Sequence, residues 1–102
     1  MTTEPAAELT PARAEQIRIG AAIRASALPP LARLLLWTAS DAAAAAADAG
    51  EEFSISIEEL SEQTGLHVGL VARFVSRAVE AGWIARIGGR WLPTVPAPRT
   101  AP

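Results

Sequence analysis

The sequence predicts a single small α+β domain, mainly helical, with one β-hairpin. Three observations carry that expectation. Apolar residues recur at helical spacing in several stretches, bounded by capping or helix-breaking residues. Near the C-terminus, Gly88-Gly89 lies between two short alternating segments, the signature of a tight hairpin. At 102 residues the chain has room for one modest core.

Residues 1–9 read as a flexible lead. Thr10 as N-cap and Pro11 at the first helical position, with acidic Glu15 soon after, then open a helix running to about Ser26. It puts Ile19, Ala22 and Ile23 on one side, with Ile17 and Gly20 nearby, and 10–27 is read as a candidate dimerisation element. Leu28-Pro29-Pro30 ends it, because proline disfavours a helical residue before it and supplies no amide donor. Leu31 opens a second helix in which Leu31, Leu34, Leu35, Trp37 and Thr38 follow a 3.6-residue period. Ala42–Ala47 extends it with high helix propensity but little bulk, and is expected to be exposed or frayed. Asp48-Ala49-Gly50 closes it, and Glu51-Glu52 forms a polar loop.

Phe53-Ser54-Ile55 alternates like a short strand. Ser56 is placed to cap the helix Ile57–Gln63, with Glu59 completing a capping box. Gly65 ends that helix, Leu66 supplies the apolar residue of the turn, and a further helix runs from about Val68 to Ala81. Its apolar face is Leu70, Val71, Phe74, Val75, Ala78 and Val79, and Gly82 stops it. Trp83–Ile87 and Arg90–Leu92 are the hairpin strands. Residues 94–102, rich in Pro, Ala and Thr, read as a disordered tail. Trp37, Trp83 and Trp91 are expected in the core.

The segment "FSISIEELSEQTGL…VARFVSRAVEAGWIARIGGRWLP" resembles the winged helix-turn-helix modules of bacterial, plasmid and phage regulators and replication proteins. In those modules a serine-capped helix leads to a "T-G-L" turn, a recognition helix, a glycine and a hairpin wing. The preceding "LPPLARLLLWTASDA" resembles their first helix, so the resemblance spans 28–93 and leaves the helix 10–27 as an N-terminal addition. It implies double-stranded DNA as partner, a dimer, and a role in transcription regulation or DNA maintenance. A two-fold dimer would require half-sites about 10 base pairs apart, or a multiple of that.

The charge distribution agrees with that implication. Net charge is −2, but residues 1–65 hold four arginines against ten acids, whereas residues 66–102 hold five arginines against Glu80 alone. A polyanion feels the local field of the surface it approaches. The candidate contacts on the recognition helix are His67, Arg73, Ser76 and Arg77, the two arginines projecting from one side four residues apart. Arginine can bind guanine through two parallel hydrogen bonds or clamp a phosphate. Arg86 and Arg90, on either side of Gly88-Gly89, are the candidate wing contacts. The stretch His67-Val68-Gly69-Leu70 offers few base-reading donors, and Glu58, Glu59 and Glu62 would repel nearby phosphates.

Other chemistries are poorly supplied. There is no Cys, Lys or Tyr and only one His, so the usual nucleophiles and general bases are nearly absent and catalysis is not expected. Thiolate metal sites and disulfides are excluded, and His67 has no partner ligands at metal spacing, so neither a metal nor a cofactor is expected. No segment has the length of a membrane span, and a cytoplasmic protein is expected. Two other readings remain open at this point. One is a winged-helix module that binds protein or dimerises without DNA; the other is a regulatory fragment of a larger enzyme system.

Overall fold

Helix formation begins at Thr10, whose hydroxyl accepts a hydrogen bond from the Arg13 amide at 3.1 Å and caps α1, Pro11–Arg24. Proline at the first position forfeits nothing, since that amide has no partner inside the helix. The structure, a computed structural model, describes residues 9–97. The lead over residues 1–8 and the tail over residues 98–102 lie outside the described residues.

α1 ends at Arg24, and a short loop leads into α2, Pro30–Asp48. Two loop carbonyls that proline leaves without backbone donors are satisfied by one side chain. The Arg33 guanidinium donates to the Ser26 carbonyl at 3.0 Å and to the Leu28 carbonyl at 2.9 Å.

The buried stripe of α2 is Leu35, Leu36, Ala39, Ser40 and Ala44, which is rotated from the expected one. Leu34 is exposed, and so is Trp37, at 42% of its surface. The expectation that Trp37 is core is therefore corrected. Its ring lies against α1 at Gly20, where an added Cβ would come within 2.5 Å of the ring. The alanine run is corrected in part: Ala44 is buried, while Ala45 and Ala47 are exposed as expected and α2 is helical through Asp48, where it was expected to close. Small side chains let α1 and the hairpin approach this end of α2 closely.

α3, Ile57–Thr64, is capped by the Ser56 hydroxyl, which accepts from the Glu59 amide at 3.2 Å. The box is not closed by Glu59; instead the Ser56 hydroxyl meets the Glu58 carboxylate at 3.4 Å. The turn after α3 is fastened by side chains, with Ser61 donating to the Leu66 carbonyl and Thr64 accepting from the Leu66 amide. α4, Val68–Ala81, follows directly and buries Val71 and Ala78. Leu70, expected on the apolar face, is instead 37% exposed.

β1, Ile84–Ile87, and β2, Arg90–Pro93, form a two-stranded antiparallel sheet with Ile84 opposite Pro93 and Ile87 opposite Arg90. The two-residue connection has φ of +61° at Gly88 and +81° at Gly89. Positive φ at both central residues matches the twist of a hairpin and is inexpensive only for glycine. Phe53–Ile55 is not a strand, contrary to expectation. The Ile55 amide donates to the Trp91 carbonyl at 2.8 Å, but the Trp91 amide goes to the Ser54 hydroxyl at 3.0 Å, so no ladder continues. Trp91, also expected in the core, is 37% exposed. Beyond β2 the chain is held rather than loose: Thr94 donates to the Trp83 and Gly82 carbonyls, and Val95 packs on the core. Over Thr94–Pro96 the expectation of a disordered tail is thus corrected.

The class is α+β: four helices and one hairpin among the described residues. α2 is central. Its neighbours Leu35 and Leu36, both fully buried, enter different halves of the core. Leu36 joins Ile19 and Ile23 of α1 with Ala78, Trp83 and Ile84, while Leu35 joins Ala39, Leu60 and Val71. Phe74 and Val75 of α4 touch both halves. α1 is thus part of this core and no free-standing element.

Candidate nucleic-acid interface

Eight of the nine arginines lie among the described residues, and they divide by what they bond. Arg13 reaches from α1 to α2, meeting Asp41 at 3.1 Å and Asp48 at 3.4 Å, and it also bonds the buried Gln16 side chain. Arg18 pairs with Glu15 at 2.6 Å. Hydrogen bonds from that guanidinium, more than its bare charge, hold the Glu15 carboxyl below its usual range. Arg33 caps loop carbonyls. These three belong to the acidic half of the chain; the Arg18–Glu15 pair is exposed, and Arg24, the fourth arginine of that half, meets no carboxylate among the described residues.

Arg73 and Arg77 of α4 and Arg86 and Arg90 of the hairpin differ. Among the described residues none of them meets a carboxylate within ion-pair distance. Arg73, Arg77 and Arg86 are exposed, and Arg90 is half-buried. Arg86 lies over the Trp91 ring, its guanidinium carbon 6.0 Å from the centroid. That cation–π contact orients the guanidinium while leaving its donors free for an anion.

The helix register accounts for the α4 side. With Val71, Phe74, Val75 and Ala78 turned to the core, Arg73, Ser76 and Arg77 fall on the opposite side, and all three are exposed. His67 has a structural task that sequence reasoning missed. Its Nδ1 accepts the Gly69 amide at 3.0 Å, making it the N-cap of α4. The exposed ring remains at the start of the helix. Gly69 beside it also has a local reason, because a Cβ there would stand 3.2 Å from that Nδ1. The same end of α4 exposes Val68 and Leu70.

The hairpin residues Arg86 and Arg90 flank the glycine turn, opposite Trp91 and Ile87 respectively. Arg73 and Arg77 additionally line an apolar cleft between α4 and the beginning of α2, which no sequence signal had indicated. No group of three or more His, Cys, Asp or Glu side chains is placed to hold a metal ion among the described residues. None of the described helices is long and apolar enough to cross a membrane. Compared with known proteins, the chain matches no protein-family model, no curated protein and no solved structure.

Proposed function

We propose that the protein binds double-stranded DNA through a winged helix-turn-helix arrangement. In this reading α3 and α4 are the two helices of the motif, α4 enters the major groove, and the β1–β2 hairpin is the wing on the backbone. The setting is a dimeric transcription regulator or a DNA-maintenance factor. The carrying observation is the division of the arginines. Three of the four arginines in the acidic half, Arg13, Arg18 and Arg33, bond to groups of the chain itself, while Arg73, Arg77, Arg86 and Arg90 have no carboxylate partner among the described residues. Guanidiniums left without partners on a helix and a hairpin are suited to phosphates and guanine edges. The order of α3, turn, α4 and hairpin supports the same reading, as does the bond from Ile55 to Trp91 that ties the chain before α3 to the wing.

One observation favours a second reading. Val68 and Leu70 expose apolar surface at the amino end of α4, where a groove-reading helix places its first base contacts. A protein partner would cover them better than DNA.

Alanine substitutions separate the two. Arg73→Ala and Arg77→Ala are each expected to weaken duplex binding by ~1–3 kcal/mol in fluorescence anisotropy where the side chain reads a base. Arg86→Ala and Arg90→Ala are expected to weaken it uniformly across sequences and to reduce the salt slope by about 1 each. Four single variants that bind duplex as the parent does would overturn the proposal.

A further inference from the structure

The cleft between the amino-terminal half of α2 and the outer side of α4 has a volume of about 290 Å3. Its floor is apolar and belongs to the core, with Leu35, Leu36, Ala78 and Trp83 beneath it. Its rim is of two kinds. Leu31 of α2 and Leu70 of α4 leave more than a third of their surfaces open to water. Arg73 and Arg77 stand one turn apart on α4 with no acidic partner among the described residues.

This combination narrows the occupant. A plain hydrocarbon would fill the floor and leave both guanidiniums unused. A sugar or another neutral polar molecule would lose hydration against leucine and tryptophan without recovering it. An inorganic anion would satisfy the arginines and leave the exposed Leu31 and Leu70 wet. A molecule with an apolar body and one anionic head satisfies both, because the forked donors of arginine match a carboxylate. The start of α2, at Pro29 and Leu31 in the same wall, has no side-chain cap and adds positive potential there.

We infer that this cleft binds a small amphipathic carboxylate, its chain or ring on the Leu35–Trp83 floor and its head between Arg73 and Arg77. An acid with a short alkyl chain, such as octanoate, is a fitting probe for this cleft. The pair of arginines is also the pair assigned to the major groove, so a loaded cleft withdraws both from DNA. That consequence rests on the DNA-binding reading; the binding of the acid does not.

The test uses the full 15N-labelled chain without DNA, titrated with sodium octanoate, with 1-octanol and with octylammonium. Octanoate is expected to give saturable shifts at the amides of Leu31, Leu70, Arg73 and Arg77, with affinity at least tenfold above that of octanol and with octylammonium weakest. Arg73→Gln and Arg77→Gln together are expected to abolish the preference for octanoate over octanol. Ala81→Phe, at the exposed lip of the cleft, is expected to block both ligands while the rest of the spectrum stays that of the folded chain. Equal affinities for octanoate and octanol, shifts centred elsewhere, or no saturable shift would overturn the inference. Octanoate binding by a chain that ignores duplex DNA upholds the cleft and removes only the DNA reading. Duplex binding without any octanoate response does the reverse.

Discussion

Single side chains in this protein do one of two things, and their partners tell which. Arg13 holds α1 against the alanine-rich end of α2 through Asp41 and Asp48, which are two turns apart. These carboxylates are partly exposed, so each ion pair alone contributes little. The same guanidinium also serves the buried Gln16 side chain, which Arg13→Ala would strip of one partner. The expected loss is ~1–2 kcal/mol in urea denaturation, and Arg13→Lys recovers only part of it because a lysine ammonium lacks the fork. His67 works in the other direction, on its own helix. Removing its ring in His67→Ala leaves the first amides of α4 without their cap, at a cost of ~1 kcal/mol, while His67→Asn keeps a capping acceptor and the stability. If stability holds in His67→Ala, the cap is unimportant and the ring is free for another purpose.

The helices and the hairpin were legible in the sequence because each is punctuated locally. Thr10-Pro11, Ser56, Gly65, Gly82 and Gly88-Gly89 sit where α1, α3, α4 and the hairpin begin, end or turn. What periodicity could not give was the direction each face takes. In Leu34-Leu35-Leu36 every residue is equally apolar, so the period alone does not choose the buried pair. The choice is made by Ala39, Ser40 and Ala44 further along, whose small size allows close helix contact while contributing little hydrophobic signal. Trp37 and Trp91 illustrate the same limit, since their size argues for burial and their register puts them at the surface. Phe53–Ile55 failed as a strand for a different reason: the Ser54 hydroxyl takes the donor that a ladder would have used. The hairpin allows a test of its turn. Replacing Gly88 and Gly89 together by alanine forces two residues into positive φ, at ~1–2 kcal/mol each, and is expected to loosen the β1–β2 register and weaken duplex binding. Unchanged hairpin amide protection in that variant would contradict the turn assignment.

Taken whole, the molecule separates stability from charge. α2 lies between two halves of one core, and the arginines that help hold the fold belong to residues 1–65, where ten acids are available. Residues 66–102 carry five arginines and Glu80, so the last helix and the hairpin are basic within an acidic protein. The placement of the unpaired arginines was readable from the order of residues; the cleft beneath Arg73 and Arg77 was not, because it is formed by two helices about 40 positions apart in the chain. A surface of this kind binds DNA only as far as counterion release allows, so its affinity for a duplex must fall as salt rises. The measurement to make is an anisotropy titration of the full chain with a random duplex and with the DNA upstream of its own gene, at about 50 mM and about 200 mM salt. The two hairpin arginines each neutralising one phosphate imply a slope of log affinity against log salt of roughly −1.8 per chain, with the upstream duplex bound more tightly at both concentrations. Absence of binding at the lower salt, where phosphate contacts are strongest, would contradict the DNA assignment and leave the exposed apolar start of α4 to a protein partner.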